Sequence, residues 1–218
     1  MGIPYLFYWL IKMRKEDVVD YFKLRRLVEE PWKTVRFRRF KDSRKTLELR
    51  FIDGRRASLR GGYADYHMFH RIFLRDEYRV HHVGAKSWEC VLGLGGNVGL
   101  FALFASSLAH RVLSFEPFQP NYQKLQLNIT HCTDVVAFCK AVASQSGTLR
   151  LFHPSHARAK GEYHNVSPDD PRTRIQKFRL FLEEKGYEVE VIPHRRKENF
   201  GMFFASKPGL ELNLNSIA

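Results

Sequence analysis

The sequence predicts an α/β protein. A parallel sheet forms its main unit, preceded by an N-terminal helix and a β-hairpin and closed by a second, antiparallel hairpin. Three observations predict this. First, apolar runs at 88–94, 111–116 and 135–139 alternate with segments of helical spacing at 98–108 and 120–129. That rhythm requires parallel strands joined by right-handed crossovers. Second, a glycine-rich turn, GLGGNVG at 93–99, lies where the first of these strands passes into its helix. Third, runs at 187–192 and 202–205 flank a basic polar stretch, HRRKEN, as the arms of a hairpin flank their loop.

Each element has a local reason. Residues 14–30 read as a helix: Glu16, Asp17 and Asp20 lead and Lys23, Arg25 and Arg26 follow, matching the helix dipole, and Pro31 ends it. Val35 and Phe37 begin an alternating pattern. Strands 47–52 and 55–60 follow, with Asp53-Gly54 as a two-residue turn, and Gly61-Gly62 closes the hairpin. Asp65 is placed to cap a helix whose apolar face is Phe69, Ile72 and Phe73. In the main unit, Phe101, Phe104 and Leu108 are the inward residues of helix 98–108. Tyr122, Leu125 and Ile129 play that part in helix 120–129, and Pro117 stops the strand before it. A further strand is expected at 148–152. Asp170 and Pro171 then open a helix with Ile175, Phe178, Phe181 and Leu182 inward, which Gly186 ends. The chain divides accordingly into an N-terminal helical segment (1–31), a hairpin and helix (32–87), the α/β unit (88–206) and a tail (207–218).

Composition narrows the function. With 218 residues, 44% of them apolar, the chain can bury a core and is not a disordered one. The formal charge is +13, and residues 1–60 hold 17 Lys/Arg against 8 Asp/Glu. Such a front end suits an anionic partner (nucleic acid, a sugar phosphate or an acidic membrane surface) or is simply a solvated basic face. Phe37 and Phe40 interleave with arginines, but strand alternation explains them, so no nucleic acid is expected. Cys90, Cys132 and Cys139 form no C-x-x-C pair and no disulfide framework, which fits a cytoplasmic protein. His67/His70 and His153/His156 have H-x-x-H spacing but no accompanying acid or thiol set, so no metal is expected. The apolar run 5–11 is too short to span a bilayer, and its charges follow it, unlike those of a signal peptide. Packing on its own domain is the favoured reading. The alternative is peripheral membrane contact through residues 3–15, where Trp9 and the tyrosines meet Lys12, Arg14 and Lys15.

The turn carries the chemistry. Gly93, Gly95 and Gly99 are spaced G-x-G-x-x-x-G ahead of a helix. Glu116 stands at the carboxyl end of the second strand, 23 residues after Gly93, where a carboxylate accepts both hydroxyl hydrogens of a ribose. A dinucleotide site prefers G-x-G-x-x-G, but Val98 holds the third position. S-adenosylmethionine has no phosphate and tolerates the looser spacing, and the terminal hairpin also favours it.

Over most of 32–206 the chain resembles the FkbM-type methyltransferases, which depend on S-adenosylmethionine. The resemblance rests on DYHMFHRIFLRDEYRV (65–80), WECVLGLGGNVGLFAL (88–103), RVLSFEPFQPNYQKL (111–125), the AVA…GTLRLF segment (141–152) and EYHNVSPDDPRTRI…FLEEKGYEV…NFGMFFA (162–205). It implies a Rossmann-like class I methyltransferase sheet. Gly95, Gly96, Asn97 and Gly99 would line the methionine side of the cofactor, and Glu116 would hold its ribose. Asp65 and Tyr78 would belong to the segment folded over the site. The implied acceptor is a hydroxyl on a sugar or another small metabolite, with Glu162 and His164 as candidate base or substrate contacts; read plainly, that pair is an exposed strand end.

Two departures stand out. Gly93 replaces the family's strand-end Asp, which helps hold the cofactor's amino end; losing one charge-assisted hydrogen bond costs about 1.5–3 kcal/mol, roughly ten- to a hundred-fold in affinity. The family's D-x-E-G-x-E-like strand and the following helix are also missing, because residues 153–161 are too few for a crossover. The sheet therefore lacks central strands. Its first strand either pairs with the C-terminal hairpin or keeps an exposed edge that invites a homodimer, and the domain is expected to be destabilised. Three functions follow: an S-adenosylmethionine-dependent O-methyltransferase, a non-catalytic remnant of that family and, more weakly, a basic nucleic-acid-binding protein.

Overall fold

The computed structural model describes residues 14–39, 42, 44–78, 84–142, 184, 188–194 and 197–206. Helix α1 (Lys15–Leu24) turns two of its acids inward: Asp17, Asp20 and Leu24 are buried, while Val18, Val19 and Phe22 are exposed. Asp17 accepts from the Arg14 N–H at 3.0 Å and from Arg39 at 2.8 Å, with Arg38 at 3.3 Å. Burial pushes its carboxyl up, but the amide and the two guanidiniums outweigh that and hold it below its ordinary value. Asp20 meets His70 Nε2 at 2.9 Å.

The helix stops at Leu24 rather than running to residue 30, and Val28 instead bridges antiparallel to Phe51. Pro31 does not terminate a helix. It opens α2 (Pro31–Phe37), where its missing N–H would have had no partner in any case. Val35 and Phe37 are therefore helical residues, both buried, and not the start of a strand.

Strands β1 (Thr46–Arg50) and β2 (Arg56–Arg60) pair antiparallel, Thr46 opposite Arg60, with Leu47, Leu49, Ala57 and Leu59 inward. The connection is one residue longer than a two-residue turn. The Gly54 N–H donates to Phe51 O, the Phe51 N–H donates to Arg55 O, and Gly54 takes φ +88°. Helix α3 (Asp65–Phe69) runs into a π-helical turn, His70–Leu74. Ala64 holds the cap position, and Asp65 is the first helical residue.

The main unit is β3 (Trp88–Leu94), α4 (Leu100–Ala105), β4 (Ala109–Phe115), α5 (Gln119–Ile129) and β5 (Val135–Phe138). The strands form a parallel sheet in the order β3-β4-β5, with Gly93 opposite Ser114 and Val112 opposite Val135. Helix α4 is shorter than expected, and Phe101 and Phe104 are only half-buried. The helix has two covered faces. Leu100 and Leu103 join the core made by α1, α2, the hairpin and α3, while Ala102 and Ala105 face the sheet, where small side chains allow close approach. One core thus runs across the segment boundaries at 31 and 87.

Strands β6 (Glu188–His194) and β7 (Lys197–Ser206) form the second antiparallel hairpin. His194 pairs with Lys197, so Lys197, Glu198 and Asn199 belong to a strand and not to a long loop. The backbone of β7 comes within 8 Å of β3 without entering its hydrogen-bonded ladder. The strand expected at 148–152 lies outside the described residues, as does the helix at 170–186 except for Glu184, which is helical. Among the described residues no helix is long and apolar enough to cross a membrane.

Candidate functional site

The glycine turn leaves the carboxyl end of β3 and folds against the end of β4. The N–H groups of Gly95 and Gly96 both donate to Phe115 O, at 2.9 and 2.8 Å, and the Gly99 N–H donates to Gly96 O at 2.8 Å. Two glycines are fixed by close approach. A Cβ on Gly96 would land on Ser114 Oγ and within 2.7 Å of Leu125 Cδ1; one on Gly99, at φ +82°, would meet Leu125 at 3.1 Å. Gly93 differs: a Cβ there finds nothing nearer than Ser114 Oγ at 3.5 Å, so packing does not demand glycine.

Glu116 follows β4 directly and is 4% exposed. Its carboxylate accepts the Asn97 N–H at 2.7 Å on Oε2 and the Phe118 N–H at 2.9 Å on Oε1. The acid therefore clasps the turn from below. A carboxylate offers about four acceptor directions, so two remain. The amides of Gly95, Gly96, Asn97 and Gly99 all find partners within the chain, so this turn does not present them to a phosphate. The donor set suits an uncharged sugar better than a pyrophosphate.

The structure brings Gly93, Gly95, Gly96, Asn97, Gly99 and Glu116 together at one end of the parallel sheet. Asp65 is occupied by Arg60. It is 2% exposed and accepts from the Arg60 N–H, Nε and Nη2, each at 2.9 Å. Arg60 also donates to Asn121 Oδ1 at 3.1 Å and lies 4.2 Å over the Tyr63 ring. Asp65 thus ties the hairpin to α3 and, through Arg60, to the start of α5. Tyr78 packs edge-on against Phe101, ring centroids 4.9 Å apart. Burial, and then the charge of Glu77, pushes its hydroxyl up to about 12. Glu162, His164 and residues 3–13 lie outside the described residues.

Sequence reasoning missed three buried polar residues, Asn121, Asn128 and Ser114, and the partly buried Arg60. Asn128 accepts from the Ser58 N–H at 2.7 Å and donates to Val98 O at 2.7 Å, so it fastens the hairpin to both the turn and α5. Asn121 and Arg60 form the second fastening. Ser114 is 1% exposed, and its hydroxyl has no hydrogen-bond partner among the described residues. The seven-residue spacing of Asn121 and Asn128 on one helix face, and a serine inside the apolar run VLSF, were the available signals. Among the described residues no group of three His, Cys, Asp or Glu is placed to hold a metal ion.

The fold and turn together define a mixed α/β protein with a three-stranded parallel sheet and antiparallel hairpins, compatible with a Rossmann-like arrangement. No protein-family model and no curated protein matches the chain.

Proposed function

We propose that this chain is an S-adenosylmethionine-dependent methyltransferase with a Rossmann-like class I sheet, acting on a hydroxyl of a sugar or other small metabolite. Glu116 carries the reading: a buried carboxylate at the end of the second parallel strand, tied to the glycine turn and keeping two acceptor directions for ribose hydroxyls. The donor chemistry fits a cofactor without phosphate. Glu116 would hold the ribose, and Gly93, Gly95, Gly96, Asn97 and Gly99 would line the methionine side. Bound there, the cofactor supplies an electrophilic methyl carbon. The protein's part is to orient the acceptor oxygen in line and to take up its proton, for which Glu162 and His164 are the sequence candidates. The three free thiols fit a cytoplasmic setting. Among the described residues, the edge of β3 away from β4 carries no hydrogen-bonded strand. Pairing of two copies there would give a symmetric dimer, which light scattering checks.

A specific observation favours a second reading, a non-catalytic member of the same family. Gly93 supplies no acid, although a Cβ meets only ordinary contacts there, and two backbone amides already hold Glu116. Calorimetry with S-adenosylmethionine separates the two. The enzyme reading expects micromolar binding that Glu116→Gln weakens by about ten-fold or more, the worth of one charge-assisted hydrogen bond. Millimolar or undetectable binding to the folded wild type would discard it and leave the non-catalytic reading.

A further inference from the structure

We infer that the outer face of α1 is a docking surface for an anionic phospholipid membrane. The surface is independent of the proposed methyl-transfer site. Two of the three acids of α1, Asp17 and Asp20, are turned inward to Arg38, Arg39 and His70. What the helix presents outward is Val18, Val19 and Phe22, 37%, 54% and 58% exposed. Exposed Lys15, Lys23, Arg25 and Arg26 flank them, with Glu16 as the one acid of α1 left outside.

A single exposed valine is ordinary, but three apolar residues within two turns, bordered by cations, are not. Val19, Phe22 and Phe73 line an open depression of about 670 Å³ together with Lys23, Arg25 and Arg26, and Lys23 is held at its rim by donating to Leu74 O at 2.9 Å. Apolar side chains beside exposed cations match the acyl boundary and the headgroup phosphates of an anionic leaflet. The charge of the front end is complementary to such a surface over a wider area, with 17 Lys/Arg against 8 Asp/Glu in residues 1–60.

The test is flotation of the full chain with vesicles of phosphatidylcholine alone or with about 30 mol% phosphatidylglycerol, at low salt. The wild type is expected to float with the anionic vesicles and to stay in solution with the neutral ones. Arg25→Gln with Arg26→Gln should weaken partitioning about five-fold per cation removed. Val19→Ser with Phe22→Ser should weaken it as well, and both pairs lie on exposed positions. Hydrogen exchange of the wild type supplies a readout that needs no variant: amides 15–26 become protected when anionic vesicles are added. Failure of the wild type to float overturns the proposal. So does flotation without protection of 15–26, which would point to a different surface, or flotation of both folded variants equal to that of the wild type.

Discussion

Replacing Asp65 by Asn tests whether this residue braces the fold or touches a ligand. The carboxylate is 2% exposed and accepts three hydrogen bonds from Arg60, whose side chain is 16% exposed. Asparagine with its oxygen in the Oδ2 place keeps the bonds from the Arg60 N–H and Nε but sets its NH2 against Nη2 and removes the charge. Breaking one partner of a buried ion pair costs about 3–5 kcal/mol. Arg60 retains Asn121 Oδ1 at 3.1 Å and the face of Tyr63 at 4.2 Å, which points to the lower end of that range. At about 2–4 °C per kcal/mol for a chain of this size, a loss of about 3 kcal/mol lowers Tm by roughly 6–12 °C. Thermal melts by circular dichroism measure this directly. Arg60→Met added to Asp65→Asn should recover a good part of the loss, because no guanidinium is then left stranded. A drop under about 2 °C, or a double variant less stable than Asp65→Asn alone, would refute the bracing role. Weaker S-adenosylmethionine binding at unchanged Tm would move Asp65 to the ligand.

The two glycines of the turn should behave oppositely. Gly96→Ala drives a methyl into Ser114 and Leu125 and is expected to cost about 1–3 kcal/mol, whereas Gly93→Ala meets only ordinary contacts and should be neutral or stabilising by up to about 1 kcal/mol. Denaturant melts rank them, and the reverse order would refute the packing described. Ser114→Ala removes a buried hydroxyl without a partner among the described residues and should leave stability unchanged or raise it by about 1 kcal/mol; a clear loss would reveal a hydrogen bond. His70 gives a pH dependence. Burial holds it below its ordinary 6.5, with the Asp20 carboxylate opposing. Just below pH 6.5 the folded chain therefore binds fewer protons than the unfolded one, so this stability is present above 6.5 and lost as pH falls through the lower folded value. Between about pH 7.5 and 5 the wild-type Tm should fall more steeply than that of His70→Gln, and parallel curves would remove His70 from the account.

The parallel strands were legible because they depend on local signals: apolar runs, a glycine turn after β3 and Pro117 just beyond β4. What was not legible depended on partners distant in sequence. Pro31 fits both the end of one helix and the start of another, and only the bridge between Val28 and Phe51 decides between them. Asp53-Gly54 suits a two-residue turn and also the longer one observed; the bond from the Phe51 N–H to Arg55 O selects the latter. The face of α1 was unreadable because its inward acids find Arg38, Arg39 and His70, up to fifty residues away. At the site, spacing alone placed Glu116 at the strand end beside the glycine turn. It could not show that Asn97 and Phe118 amides hold the carboxylate, or that Arg60 holds Asp65.

One peptide unit joins the turn to its neighbouring strand. Phe115 O takes the N–H groups of Gly95 and Gly96, and the next residue, Glu116, takes that of Asn97. Three consecutive amides are thereby riveted to two consecutive residues. The turn cannot leave the end of β4 without breaking several bonds at once, so turn and strand end move as one body. A ligand that reaches the turn meets three amides already held in place. Its contact with the turn is expected to require no rearrangement of these amides.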